Sequence, residues 1–147
     1  MPMREPYGSA FGAEVIPFTM TTMFSAKTSN VLIVEDDPVL RTLYKAMLQL
    51  EGFTVVAVED GVDALRHIEL EVPAAVVLDL GLPRLGGRDV SREMTSRIDL
   101  RDIPIVIVTG EETGDLDPRH FACILRKPID PSTLVKAVRD CLRKAPV

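Results

Sequence analysis

The stretch Ala74-Ala-Val-Val-Leu-Asp79-Leu-Gly-Leu-Pro83 decides the fold, because its apolar run ends in one acid followed by a turn that contains Gly and Pro. A short, continuous apolar run of this kind predicts a strand that is buried on both faces of a sheet. Since an unpaired carboxylate is costly to bury, we expect a cation or hydrogen-bond donors beside Asp79. Ligands bind at the carboxyl ends of strands in open α/β sheets, so the site is expected to include residues that follow the other strands.

Strand and helix patterns alternate along the chain from residue 31 onward. Strands are predicted over residues 31–34, 53–58, 74–78, 103–108 and 122–125. The apolar faces of the intervening and final helices are predicted to be Leu40, Leu43, Met47 and Leu48; Val62, Leu65 and Ile68; Val90, Met94 and Ile98; and Leu134, Val135, Val138, Cys141 and Leu142. Repeated strand-then-helix units predict an α/β fold with a doubly wound, five-stranded parallel sheet and helices on both faces.

The first 29 residues differ from the rest of the chain, because they contain Pro2, Pro6 and Pro17 and show no sustained period. We interpret them as a poorly ordered tail, followed by one domain over residues 30–145. The length of 147 residues, 46% of them hydrophobic, suits a single domain with an apolar core.

Charge and cysteine content limit the classes of function. The net charge of −5 argues against nonspecific binding to nucleic acid or to an anionic membrane, since both require a positive field. The sequence has no apolar run of about 18 residues, so no transmembrane helix is expected. Cys123 and Cys141 lie in apolar sequence without metal-ligand spacing, and we interpret them as reduced residues of a cytoplasmic protein.

Polar residues follow four of the predicted strands: Glu35 and Asp36, Asp79, Thr109, and Lys127. Because the carboxyl ends of parallel strands lie at one edge of the sheet, these side chains are expected to converge. Clustered carboxylates repel one another, and Mg²⁺ relieves that repulsion because it takes oxygen ligands and bridges carboxylates to a phosphoryl group. Lys127 offers a positive charge to a phosphoryl oxygen, and Thr109 offers a hydroxyl donor.

Four motifs in this order make the chain similar to a receiver domain of the bacterial two-component response regulator family, over residues 30 to about 145. The motifs are Val31-Leu-Ile-Val-Glu-Asp-Asp-Pro38, Leu78-Asp-Leu-Gly-Leu-Pro83 with Gly87 beyond it, Val108-Thr-Gly110, and Arg126-Lys-Pro128. The resemblance implies a flavodoxin-like fold of the receiver type. Each motif alone is weakly specific, but their combination in this order is highly specific.

The resemblance also implies a role for each matching residue. Asp79 corresponds to the phosphoacceptor, which takes a phosphoryl group from a phosphohistidine on a sensor histidine kinase or a histidine phosphotransfer protein. Asp36 and Asp79 are implied to hold magnesium through their side chains, Gly81 through its carbonyl, and Glu35 through water. Thr109 and Lys127 are implied to contact the phosphoryl oxygens. Such a protein catalyses only its own phosphorylation and dephosphorylation.

The chain departs from the family pattern in two places. Ile124 lies three residues before Lys127, where the family usually has an aromatic side chain. The interval between Thr109 and Lys127 is shorter than the family pattern by about one helical turn, and residues 111–120 favour turns without an apolar stripe. We therefore expect the fourth helix of the receiver fold to be short or missing, and we expect the loop over residues 111–120 and the last helix to carry the signal.

The sequence indicates a single-domain response regulator that acts through contacts with a downstream protein, and we also consider a homodimer formed on phosphorylation. Alternatives are a shuttle in a phosphorelay, a receiver that binds partners constitutively, and a flavodoxin-like module that binds FMN. The acids that follow the first strand disfavour FMN, because they would repel its phosphate. A metal-dependent phosphohydrolase with Asp79 as nucleophile is disfavoured, because the second acid expected two residues later is Gly81.

Overall fold

The computed structural model of the protein describes residues 30–144. The strands are β1 (Asn30–Val34), β2 (Thr54–Val58), β3 (Ala75–Leu78), β4 (Ile105–Thr109) and β5 (Cys123–Arg126). The helices are α1 (Pro38–Leu50), α2 (Gly61–Leu70), α3 (Gly87–Ser96) and α4 (Pro131–Lys144), with a 3-10 helix at Pro118–His120. The predicted N-terminal tail lies outside the described residues.

The five strands form one parallel sheet in the order β2-β1-β3-β4-β5. The strand order reverses between β1 and β3, so the sheet is doubly wound with helices on both faces, as predicted. In the register, Val34 lies beside both Val58 and Leu78, and Thr109 lies beside Arg126. The residues that directly follow β1, β3 and β5 are therefore at one edge of the sheet.

The apolar core has one layer on each face of the sheet. Helices α1 and α4 cover one face with buried side chains that include Tyr44, Leu48, Leu134 and Val138. Helices α2 and α3 cover the other face with Ala64, Ile68, Val90 and Met94. Strands β1, β3 and β4 are buried along nearly their whole length, because each contributes side chains to both layers.

The predicted apolar faces of two helices are each wrong at one residue. In α1, Tyr44 is buried and Leu43 is 39% exposed, so the stripe runs through Tyr44 instead of Leu43. Helix α3 ends at Ser96, and Ile98 is 77% exposed. Leu100, in the turn after the helix, fills the core instead and is 1% exposed. In α1 the difference reflects how the helix is rotated against the sheet, and in α3 it reflects the turn that follows Ser96; the apolar period alone records neither.

The segment between β4 and β5 confirms the prediction that a fourth helix is short or missing. Its only helical structure is the three-residue 3-10 helix Pro118–His120, which Asp117 caps by accepting a hydrogen bond from the Arg119 amide at 3.0 Å. None of the helices within residues 30–144 is long and apolar enough to cross a lipid bilayer.

Candidate functional site

Glu35 and Asp79 lie next to each other because they extend the two central strands by one residue. The Asp79 amide donates to the Val34 carbonyl at 3.1 Å, and the Glu35 amide donates to the Val58 carbonyl at the same distance. Both acids are nearly inaccessible, with residue exposures of 2% for Glu35 and 7% for Asp79. Two carboxylates are therefore buried side by side at the carboxyl edge of the sheet.

Lys127 supplies the cation that these buried acids require. Its Nζ donates to Glu35 Oε1 at 2.8 Å and to Asp79 Oδ2 at 2.9 Å. The Lys127 amide donates to the Thr109 carbonyl at 2.8 Å, which fixes the lysine at the end of β5 beside β4. The positive partner that the sequence predicts for Asp79 is thus present, and it bridges both acids.

The pKa values of the two buried acids shift in opposite directions. Burial raises the pKa of Glu35, and the nearby Asp79 raises it further, while hydrogen bonds from Lys127 and from the Asp37 amide act against this rise. Burial alone would raise the pKa of Asp79 as well, but hydrogen bonds from Lys127, Thr109 and the Gly81 amide outweigh it and lower that pKa. Asp79 is therefore held ionised, which is the form in which a carboxylate acts as a nucleophile.

Asp36 completes an acidic cluster with Glu35 and Asp79. One carboxylate oxygen from each of the three residues lies within 4.8 Å of the others, and Asp36 is exposed whereas the other two are buried. Hard oxygen donors that converge from one exposed and two buried carboxylates suit Mg²⁺, which keeps several waters and takes few protein ligands. The residues present therefore fit a magnesium ion.

Thr109 and Gly81 flank Asp79 on two sides. Thr109 is fully buried at the end of β4, and its Oγ1 accepts a hydrogen bond from the Glu111 amide at 3.2 Å. The Gly81 amide donates to Asp79 Oδ1 at 3.2 Å, so the turn after β3 folds back onto the acid. The structure thus brings all six predicted site residues to one edge of the sheet.

The backbone around Asp79 leaves no room for a side chain on Gly87. A Cβ atom at this position would lie 2.0 Å from the Asp79 carbonyl oxygen. The Gly87 amide also donates to the Leu80 carbonyl at 3.0 Å. The start of α3 therefore packs directly on the backbone of the acid, which is why the sequence has glycine here.

Three arginines near the site were missed by the sequence analysis. Arg41 donates to the Glu35 carbonyl at 2.9 Å and to the Asp36 carbonyl at 3.3 Å. Arg84, with a φ of 65° in the left-handed region, binds Asp60 through its Nε and Nη2 atoms at 2.8 and 3.1 Å. Arg88 binds the loop after β4. Local sequence patterns carry no signal for such contacts, because the contacts of Arg84 and Arg88 join segments more than 20 residues apart.

Comparisons with known proteins agree with this fold. Residues 31–139 match the family described as the response regulator receiver domain. The protein PilH of Pseudomonas aeruginosa is 31% identical over 118 residues, which cover 78% of this chain and 98% of PilH. The response regulator MprA of Mycobacterium ulcerans is 39% identical over 84 residues, and the match covers 57% of this chain and 35% of MprA. The chain thus spans well under two thirds of the length of some curated relatives.

Solved structures show the same architecture. A sensor protein from Polaromonas sp. JS666 superposes with a TM-score of 0.72 at 28% identity, covering 78% of this chain and 96% of that protein. The receiver domain of a sensor histidine kinase from P. aeruginosa, solved with a magnesium ion coordinated in its active-site cleft, superposes with a TM-score of 0.69 at 29% identity. That match covers 78% of this chain and 98% of the other domain.

The doubly wound parallel sheet, with acids and a lysine at the carboxyl edge, defines a receiver-type fold of the flavodoxin-like class. The chain belongs to the response regulator receiver domain family.

Proposed function

We propose that this chain accepts a phosphoryl group on Asp79 in a magnesium-dependent reaction and signals through contacts with other proteins. The observation that carries the proposal is the pairing of Lys127 Nζ with both Glu35 and Asp79, at 2.8 and 2.9 Å, beside an exposed third acid, Asp36. The pairing keeps Asp79 ionised, and the cluster supplies oxygen ligands for a divalent cation. The magnesium-bound receiver of the P. aeruginosa kinase supports the same use of this edge.

In the proposed reaction, a carboxylate oxygen of Asp79 forms a bond to phosphorus as the P–N bond of a phosphohistidine breaks, and the imidazole nitrogen takes up a proton. Asp36, Asp79, the Gly81 carbonyl and, through water, Glu35 would hold Mg²⁺, which would neutralise charge on the phosphoryl oxygens. Lys127 would move from its acid partners to a phosphoryl oxygen, since its ammonium is mobile on a four-carbon stem. The Thr109 hydroxyl would donate to a second phosphoryl oxygen.

The proposed phosphoryl donor is a phosphohistidine on a sensor histidine kinase or on a histidine phosphotransfer protein. The family match is to a response regulator receiver domain and the relative MprA is a response regulator, which supports a donor of this class. The site is open on the side of Asp36, the exposed acid, so a donor imidazole can approach from that side. The β1–α1 turn presents acids here and not hydrogen-bond donors for a nucleotide phosphate, which disfavours the FMN alternative.

Incubation with acetyl phosphate tests the proposal directly. We expect intact mass spectrometry to show a phosphate-sized gain in the wild-type chain with Mg²⁺, no gain with a chelator, and no gain in Asp79→Asn. Asp89→Asn, an acid exposed on α3, is the matched control and should gain phosphate as the wild type does. An equal gain in Asp79→Asn, or none in the wild type, would refute the assignment.

A further inference from the structure

Arg88, the second residue of α3, binds the loop after β4 with most of its guanidinium group. Its Nη1 donates to Glu111 Oε1 at 2.8 Å, and its Nε and Nη2 form a bidentate pair with Asp115 at 2.8 and 3.0 Å. Nη2 also donates to the Glu112 carbonyl at 2.6 Å. One side chain thus holds three residues of a short loop, and the planar fork of arginine suits such multiple contacts.

The same loop is joined to the phosphoryl site through Glu111. The Glu111 amide donates to Thr109 Oγ1 at 3.2 Å, so the hydroxyl proposed to contact the phosphoryl group also anchors the loop. The side chain of Glu111 lies over Gly81, where a Cβ atom would approach its Oε2 to 2.7 Å. Glu111 therefore contacts both residues that flank Asp79 and is held from outside by Arg88.

Few other contacts fix this loop within the part of the chain that the structure describes. The segment between β4 and β5 contains only a 3-10 helix of three residues. Four residues of the loop are exposed: Glu111, Glu112, Gly114 and Asp115. Leu116 packs partly against the core, and Arg126 lies 3.7 Å from Glu112. The contacts of Arg88 are therefore the largest group of polar contacts that hold the loop against the site.

We propose that Arg88 is a latch, which holds the loop of residues 111–115 closed against the site in the unphosphorylated protein and releases it when Asp79 is phosphorylated. The inference rests on the proposed phosphorylation of Asp79. In this proposal, the ion pairs of Arg88 couple the phosphoryl site to the protein surface. The loop of residues 111–115 has no helix that could do so.

The direction of the change follows from charge and hydrogen bonding. Phosphorylation replaces the Asp79 carboxylate with an acyl phosphate of charge about −2, and the Glu111 carboxylate lies over Gly81, two residues along the chain from this acid. The part of this charge that Mg²⁺ and Lys127 do not offset repels Glu111 from Gly81 and weakens its pairing with Arg88. When Thr109 Oγ1 turns to a phosphoryl oxygen, the Glu111 amide loses its acceptor. Because exposed ion pairs are individually weak, repulsion of Glu111 and loss of its amide acceptor together favour release of the remaining Arg88 contacts.

Hydrogen exchange of peptides that span residues 110–117 tests the latch. The samples are the wild type, Arg88→Gln and Arg92→Gln, each without and with acetyl phosphate and Mg²⁺, with the phosphorylated fraction read by intact mass. We expect Arg88→Gln to exchange about tenfold faster than the wild type before phosphorylation, and the wild type to reach a similar rate after it. Arg92, one turn along α3, pairs with Asp89 on its own helix, so Arg92→Gln should match the wild type throughout.

The possible results distinguish a failure of the Arg88 latch from a failure of the proposed phosphorylation. Equal exchange in unphosphorylated Arg88→Gln and wild type would overturn the latch, as would an unchanged loop in wild-type protein that has gained phosphate. If the wild-type protein shows no mass gain, both the proposed function and the release of the loop by phosphorylation are overturned. The exchange rates of unphosphorylated Arg88→Gln and Arg92→Gln then still show whether Arg88 holds the loop. If Arg88→Gln fails to fold, the double variant Glu111→Gln, Asp115→Asn neutralises the two loop acids that pair with Arg88 and should likewise speed exchange before phosphorylation.

Discussion

At the scale of single residues, Lys127 determines whether two acids can be buried together. Glu35 and Asp79 are separated by 44 positions in the chain but share one ammonium group. Burial would lower the pKa of Lys127, but its hydrogen bonds to both acids outweigh that effect and raise it. The lysine therefore stays charged over the whole physiological range, and it offsets the repulsion that the parallel register imposes.

Replacing Lys127 with Met removes the charge and keeps an unbranched side chain. We expect the free energy of unfolding at pH 7.5 to fall by roughly 2–3 kcal/mol, because two buried carboxylates then lack a cation. Urea unfolding followed by circular dichroism measures the change. Lys136→Met removes an exposed lysine that pairs with Asp140 on α4, and this control should unfold as the wild type does.

The deficit of Lys127→Met should shrink as the pH is lowered from 7.5 to 5. Without the lysine, the folded-state pKa values of Glu35 and Asp79 rise above their unfolded values. A group of this kind stabilises the fold below its unfolded pKa, and the stabilisation is lost as the pH rises through the folded pKa. The variant therefore gains stability relative to the wild type in acid, and a deficit that does not vary with pH would contradict the assigned charge states.

At the scale of the elements, the turns at helix ends decide which apolar residues reach the core. Helix α3 ends at Ser96, and the following residues form a tight turn in which the Leu100 and Arg101 amides donate to the Arg97 carbonyl. The turn directs Leu100 inward and leaves Ile98 in solvent. The element thus ends earlier than its apolar period indicates, and the turn completes the layer.

Alanine substitutions at positions 98 and 100 compare how much each side chain contributes to the free energy of unfolding. We expect Leu100→Ala to lower the free energy of unfolding by roughly 2–4 kcal/mol, because it removes a buried side chain and leaves a cavity. Ile98→Ala should change it by less than about 0.5 kcal/mol, since that side chain is already in water. Denaturant titrations of the two variants give the comparison, and similar losses in both would show that α3 continues to residue 98.

At the scale of the whole molecule, the proposed binding of an ion to the acidic cluster would be coupled to the stability of the fold. The three acids are brought within 4.8 Å only when β1 and β3 pair, so the unfolded chain has no equivalent site. An ion that binds only the folded chain stabilises it by mass action. The same strand pairing that builds the core thus creates the proposed magnesium site.

Magnesium should therefore raise the unfolding midpoint of the entire domain. At a free concentration ten times the dissociation constant, we expect a stabilisation of about 1.4 kcal/mol. Thermal unfolding with MgCl₂, against NaCl of equal ionic strength, separates binding from general screening of the net charge of −5. Asp36→Asn changes an exposed residue that is proposed as a ligand, without opening the core, and should lose most of the shift; an undiminished shift in this variant would place the ion elsewhere.

Local sequence patterns were sufficient for the order of the strands and helices and for the acids at the strand ends. Apolar runs such as residues 74–78 record burial directly, because a strand covered on both faces cannot contain charge. The parallel arrangement then brings Glu35, Asp79 and Lys127 to one edge without further information. The short or missing fourth helix was predicted from the resemblance to the receiver family, whose interval between Thr109 and Lys127 is longer, and the lack of an apolar stripe over residues 111–120 agreed with it.

Packing in three dimensions decided the remaining features. Tyr44 and Leu43 are neighbours in α1. Only the way in which the helix is rotated against the sheet buries Tyr44 and leaves Leu43 partly exposed. The contacts of Arg84 and Arg88 join segments more than 20 residues apart, where no periodicity relates the partners. The periodic burial of side chains is a property of a single helix or strand, so the sequence of that element predicts it. An ion pair between two elements forms only when the tertiary fold brings those elements together.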